Sequence, residues 1–249
     1  MRASASAGGA FDAFAAGRVI LLVDDGVSGG AGYLTVAAEH AWPKSVAFIV
    51  RHTSGFICVA MTESRADELR IPPMCWPDSR NAGASHSGGA RPGYRVTVDA
   101  KENVSTGISA ADRATTIRKL ASPNARVGDL SLPGHVVPAC AASGGLAARA
   151  GPTEALVELS TLVGVQPVAA FAEIVSKDDP TRMVRGHELL SFAVKHDVAL
   201  LTIGSLTPRT CQRGGLAAIV ASGESEWPDT HANQPDVSGS TQRTWERGF

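Results

Sequence analysis

The sequence predicts a layered, mixed-sheet α/β (α+β) fold in a single domain. An unbroken apolar run at Val19–Val23, further short apolar runs, and helical patterns interleaved with them carry that expectation. At 249 residues the chain suits one domain with a tail and can bury a sizeable core.

Val19–Val23 (VILLV) has the continuous apolarity of a strand buried on both faces. Phe56–Met61, Tyr94–Val98 and Val198–Ile203 read as further strands, and Val168–Ala172 as one that ends at Glu173. Ser109 is a candidate N-cap for a helix over Ala111–Leu120, where Ile117 and Leu120 repeat at helical spacing. Thr153–Val163 sets Leu156, Leu159 and Val163 on one helical face. Pro152 suits the first turn of that helix, where a missing N–H costs nothing. Glu188–Lys195 reads as another helix, and no internal repeat is evident.

Asp78–Gly93 (DSRNAGASHSGGARPG) has the composition of a long loop. From Pro208 onward apolar residues are few, apart from Trp227 and Trp245, which predicts a disordered tail. The expected organisation is an N-terminal extension over 1–16, a domain over 17–207 and a tail over 208–249.

Twenty-three basic against 24 acidic residues give a net charge of -1 and no electrostatic case for nucleic acid or an anionic membrane. A local pocket can still be basic, so a small acidic ligand stays open. No apolar run approaches the roughly 20 residues of a membrane-spanning helix. Met1–Gly9 lacks an apolar h-region, so no signal peptide is expected. Cys58, Cys75, Cys140 and Cys211 are scattered without a C-x-x-C pair, so the expectation is a cytoplasmic protein without structural zinc or disulfides.

A series of segments adds a more specific signal: Val19–Asp25, Arg51–Cys58, Leu69–Met74, Tyr94–Ala100, Ser105–Arg113, Pro133–Val136, Arg149–Ala155, Ala172–Ile174 and Lys195–Ile203. Together they resemble the 3,4-dihydroxy-2-butanone 4-phosphate synthase family. The resemblance implies a homodimer with active sites near the subunit interface. It also implies conversion of ribulose 5-phosphate to 3,4-dihydroxy-2-butanone 4-phosphate and formate for riboflavin. In that reaction a divalent ion, usually magnesium, holds the sugar oxygens and stabilises the enediol. Some relatives continue into a GTP cyclohydrolase II domain, for which the tail here is too short.

The family's acidic loop reads approximately D-D-E-D-R-E-N-E-G-D. Here the segment is Asp24-Asp25-Gly26-Val27-Ser28-Gly29-Gly30-Ala31-Gly32-Tyr33. Two of the family glutamates fall on Gly29 and Ala31, the arginine on Ser28, and the last acidic, substrate-touching position on Tyr33. The metal-binding histidine of R-x-G-H-T-E falls on Pro152. No metal and no cofactor are therefore expected, because Asp24 and Asp25 alone make a poor magnesium site. The glycines follow an expected strand and precede an expected helix, but their spacing is neither G-x-G-x-x-G nor a P-loop. They read as a flexible loop.

The resemblance assigns Arg149, Gly151 and Thr153 to a substrate phosphate, an assignment that suits arginine donors and a helix start. It places Thr106, Gly107 and Asp112 in a second substrate-lining segment. Glu173 at a strand end and His135 in Pro-Gly-His-Val are acid–base candidates, and Cys58 is a further candidate. The plainer readings are a surface ion pair for Arg149, a helix cap for Thr153, structural roles for Glu173 and His135, and packing for Cys58. His52, beside Arg51 at a helix end, suits that terminus. Tyr33 and Val27 in place of charged residues point to a less polar ligand. The reading is a metal-independent lyase- or isomerase-like enzyme in specialised metabolism, using Glu173 and His135 on a small molecule, phosphorylated or not. The alternatives are a non-catalytic protein that binds a sugar phosphate or a partner, and the retained synthase reaction.

Overall fold

The computed structural model describes residues 7–27, 29–74 and 93–206. Its strands are β1 (Ile20–Asp24), β2 (Ala31–Ala37), β3 (Cys58–Met61), β4 (Gly93–Tyr94), β5 (Val98–Ala100), β6 (Leu130–Cys140), β7 (Ala169–Glu173) and β8 (Leu200–Thr202). They form one mixed sheet in the order β4-β6-β3-β7-β2-β1-β8, with β5 paired to β6. The β1–β8 and β3–β6 pairs are parallel, and the others antiparallel.

The helices are α1 (Ala7–Ala15), α2 (Pro43–His52), α3 (Glu63–Glu68), α4 (Ala110–Ala121), α5 (Gly145–Ala148), α6 (Pro152–Leu162) and α7 (His187–His196). The sheet is covered on both faces, which is why β1 is apolar from Ile20 to Val23. Leu21 and Val23 join a core with Val46 and Ile49 of α2, Ile117 and Leu120 of α4, and Leu189 of α7. Ile20 and Leu22 face the other way, toward Phe14 of α1 and Leu156 and Leu159 of α6. Ser109 caps α4 as expected, its side chain accepting from the Asp112 N–H, and Pro152 occupies the first turn of α6.

Several expectations need correction. Residues 7–15 are not an extension: α1 buries Ala10, Ala13 and Phe14 in the second core, so the packed domain begins before residue 17. The glycine-rich segment does not precede a helix. It closes a hairpin, with Asp24 paired to Ala31 and Val23 to Gly32. A phosphate-binding loop lacks its helix here. Gly29 and Gly30 have φ of 74° and 70°, the left-handed conformation a turn takes most readily with glycine. Gly32 lies inside β2, where an added Cβ would sit 2.2 Å from Leu189 Cδ2.

The expected strand Tyr94–Val98 is split into β4 and β5, because Arg95 turns inward to the Ile71 carbonyl and the Cys140 sulfur. The loop expected over 78–93 lies outside the described residues except for Gly93, which begins β4. The tail over 208–249 lies wholly outside them. Among the described residues, no helix is long and apolar enough to cross a membrane.

Candidate functional site

The end of β1, the start of β2, the end of β7 and the start of β3 meet at one edge of the sheet. Tyr33 of β2 pairs directly with Glu173 of β7, and Cys58 of β3 pairs with Phe171 and Val137. Phe171 and Glu173 are two residues apart, so strand alternation directs Tyr33, Glu173, Phe171 and Cys58 to one face.

Tyr33 is half-buried and meets Phe171 edge-on at 5.9 Å. Burial, then the charges of Glu173 and Asp24, push its phenol well above the ordinary range, so it stays a neutral hydroxyl. Glu173 Oε1 lies 2.8 Å from Arg185 Nη1. That contact is an ion pair without hydrogen-bond alignment: Nη1 donates to the Val184 carbonyl, and Oε1 accepts no hydrogen bond. Asp24 is buried; burial raises its pKa, opposed by the Gly26 N–H, with Asp25 and Glu173 raising it further. Asp25 Oδ1 accepts from the Gly204 N–H at 2.8 Å. Cys58 is 3% exposed, and burial pushes its thiol up to about 12, against a hydrogen bond with Tyr94. It is a packed thiol with no thiolate to offer near neutral pH.

His135 is held by a residue that the sequence reading missed. Asp99 of β5 accepts the His135 backbone N–H on Oδ1 at 3.0 Å and meets the ring Nδ1 through Oδ2 at 2.6 Å. A carboxylate there fixes the tautomer with a proton on Nδ1 and leaves Nε2 to act as a base. The His135 side chain is 39% exposed. Gly107 closes over the pair with φ of 85°, and a Cβ on it would collide with Asp99 Oδ2 and His135 Nδ1. The signal available in the sequence was an acidic residue between Val98 and Ala100 in a strand, but its partner lies 36 residues away.

Asp112 organises this corner. Its carboxylate accepts from Ser105 N, Ser105 Oγ and Gly107 N, and the Ser105 bonds lead in lowering its pKa. Thr106, between those anchors, is exposed and is the member of the segment free to meet a ligand.

The Arg149 segment is assembled but turned inward. Arg149 Nη2 contacts Glu154 Oε1 and the Cys140 carbonyl, and Glu154 is fully buried and also accepts from the Ala142 N–H. The ion pair is therefore largely buried and not on the surface. Gly151, not Thr153, is the N-cap of α6, and Thr153 is buried in its first turn. The Cys140 carbonyl lies three residues beyond Val137 along β6, roughly 10 Å at strand rise, so Arg149 is anchored well along the sheet from Cys58.

A mixed sheet covered on both faces, with titratable side chains gathered where several of its strands begin and end, defines the class of scaffold. The profile of the 3,4-dihydroxy-2-butanone 4-phosphate synthase family matches residues 9–208, and the chain belongs to that family. It is 42% identical over 217 residues to riboflavin biosynthesis protein RibBA of Nocardia farcinica, covering 87% of this chain and 50% of that protein. It is 46% identical over 218 residues to RibBA of Salinispora tropica, covering 88% and 52%. The chain thus spans about half the length of these curated relatives. The synthase of Candida albicans superposes with a TM-score of 0.70 at 38% identity, covering 80% of this chain and 94% of that one. A synthase in complex with two magnesium ions gives 0.72 at 35%, covering 84% and 97%.

Gly29, Ala31 and Pro152 stand where the resemblance puts two glutamates and a histidine. Among the described residues, no group of three or more His, Cys, Asp or Glu side chains is placed to hold a metal. Asp24, Asp25 and Glu173 are engaged with Gly26, Gly204 and Arg185.

Proposed function

We propose that this chain is a metal-independent acid–base member of the synthase family. It performs proton transfer on a small ketose-phosphate-like ligand in place of the complete family reaction. The His135–Asp99 pair carries this reading, because an oriented, part-exposed imidazole is a suitable base for a proton beside a carbonyl. Glu173 and the neutral Tyr33 hydroxyl supply acceptor and donor groups at the neighbouring strand ends. Skeletal rearrangement with loss of formate needs several sugar oxygens held at once on a cation, and the side chains for that ion are missing. Homodimerisation belongs to this proposal, on family membership.

The relatives favour a second reading, retention of the whole reaction. Proteins named for riboflavin biosynthesis are 42% and 46% identical to this chain. One experiment separates the two. Incubation with ribulose 5-phosphate in deuterated water, with either a chelator or magnesium, is followed by NMR. Carbon-bound deuterium without formate supports the first reading, and magnesium-dependent formate supports the second. Binding with neither product supports a non-catalytic ligand-binding role.

A further inference from the structure

The hairpin turn that lost its acidic side chains is backed by a cation. Gly29 has φ of 74°, and a Cβ placed on it would lie 3.5 Å from Arg185 Cβ. The backbone holds the two together, since the Gly186 N–H donates to the Gly29 carbonyl at 2.5 Å. From there the Arg185 guanidinium reaches Glu173 at 2.8 Å and influences Tyr33. Asp24 and Tyr33 border the same edge, so a positive group sits among acidic and phenolic ones.

Its donors are not used up. A guanidinium carries five N–H groups. Among the described residues, the Val184 carbonyl is the one acceptor that takes a hydrogen bond from Arg185. Glu173 balances the charge without aligning on an N–H, and the side chain is 37% exposed. The group is therefore charged, positioned by backbone on one side and a carboxylate on another, and open to a further acceptor. An oxyanion forming on a ligand carbonyl needs such a fixed positive donor in a partly dry site.

We propose that Arg185 is the electrophilic residue of this site, its free N–H groups binding the ligand's carbonyl or enolate oxygen where a divalent ion serves other members of the family. Glu173 orients it. This assignment rests on the metal-independent reading and adds to it a named residue and a ligand feature, a carbonyl oxygen close to the turn at Gly29.

The test is calorimetric titration of the full chain with ribulose 5-phosphate in chelator-containing buffer, for wild type, R185K, R185Q and R185M. Loss of a charge-assisted donor predicts binding weakened about tenfold or more in R185M and R185Q, with R185K recovering part of the loss. Thermal melts identify any variant that does not fold, and R185K and R185Q then carry the comparison. Equal affinity in the wild type and the folded charge-removing variants overturns the assignment while leaving the ligand class standing. No binding by the wild type overturns both the ligand class and the assignment.

Discussion

Two corners of the same sheet edge differ in what holds them. At the β5–β6 corner, the Asp99 carboxylate holds His135, and the Asp112 carboxylate accepts from Ser105 and from the Gly107 N–H. At the β1–β2 corner, Gly26, Gly29, Gly30 and Ala31 supply a turn whose order comes from backbone, and Asp24 and Asp25 are drawn to local N–H groups. The first corner keeps a chemically usable imidazole. The second keeps the strand pairing of β1 with β2 around glycines and an alanine. One corner is thus ordered by side-chain carboxylates and the other by strand pairing around a turn.

The largest effects are expected at the first corner. His135→Ala should lower deuterium exchange by about 10²–10⁴-fold, the usual worth of a general base, as read by NMR. Asp99→Asn should lower it by less while leaving the fold intact, because it removes charge and keeps the shape. Rates in either variant equal to wild type would move the base elsewhere.

Backbone substitutions sharpen the contrast. A Cβ on Gly134 would lie 2.1 Å from the Val98 carbonyl carbon, where no side-chain rotation gives relief. Gly134→Ala should cost about 1–3 kcal/mol or more in urea unfolding, as overpacking does. Gly29→Ala meets only ordinary contacts, so its cost should be the left-handed φ alone, about 1–2 kcal/mol. Equal costs at the two positions would remove the distinction between a packed corner and a backbone turn.

A pH effect lies behind the edge. His52 at the end of α2 stacks on Phe48 and His196, and its Nδ1 has no hydrogen-bond partner. Burial, then Lys177, His196, Arg51 and Lys195, lower its pKa from 6.5 to about 4. The folded state therefore prefers the neutral ring and binds fewer protons than the unfolded chain between those values. This contribution is complete above about pH 6.5 and fades as pH falls toward 4. The melting temperature should drop over that window, and His52→Phe should make the drop shallower, as scanning calorimetry would show.

The sequence made some of this legible and hid the rest for identifiable reasons. β1 and β7 declared themselves by apolar runs, and α4 and α6 by Ser109 and Pro152 at their starts. α1 was hidden because its buried residues are mostly alanine, which leaves no strong periodic signal. β2 was hidden because Gly32 reads as loop, whereas it makes room for Leu189. His135 was visible through its motif. Its partner Asp99 was not, since the pairing depends on how β5 lies on β6. Arg149 was expected to await a phosphate, and its engagement with Glu154 follows from α6 folding back beside Cys140. Cys58 was a candidate by position, and burial makes it a packing residue.

The most direct measurement is formate release from ribulose 5-phosphate by the full-length chain with saturating magnesium, run beside the chelated deuterium-exchange assay. Exchange should ignore chelation, and formate should stay at background. Formate formed over many turnovers, and abolished by chelator, would contradict the metal-independent reading.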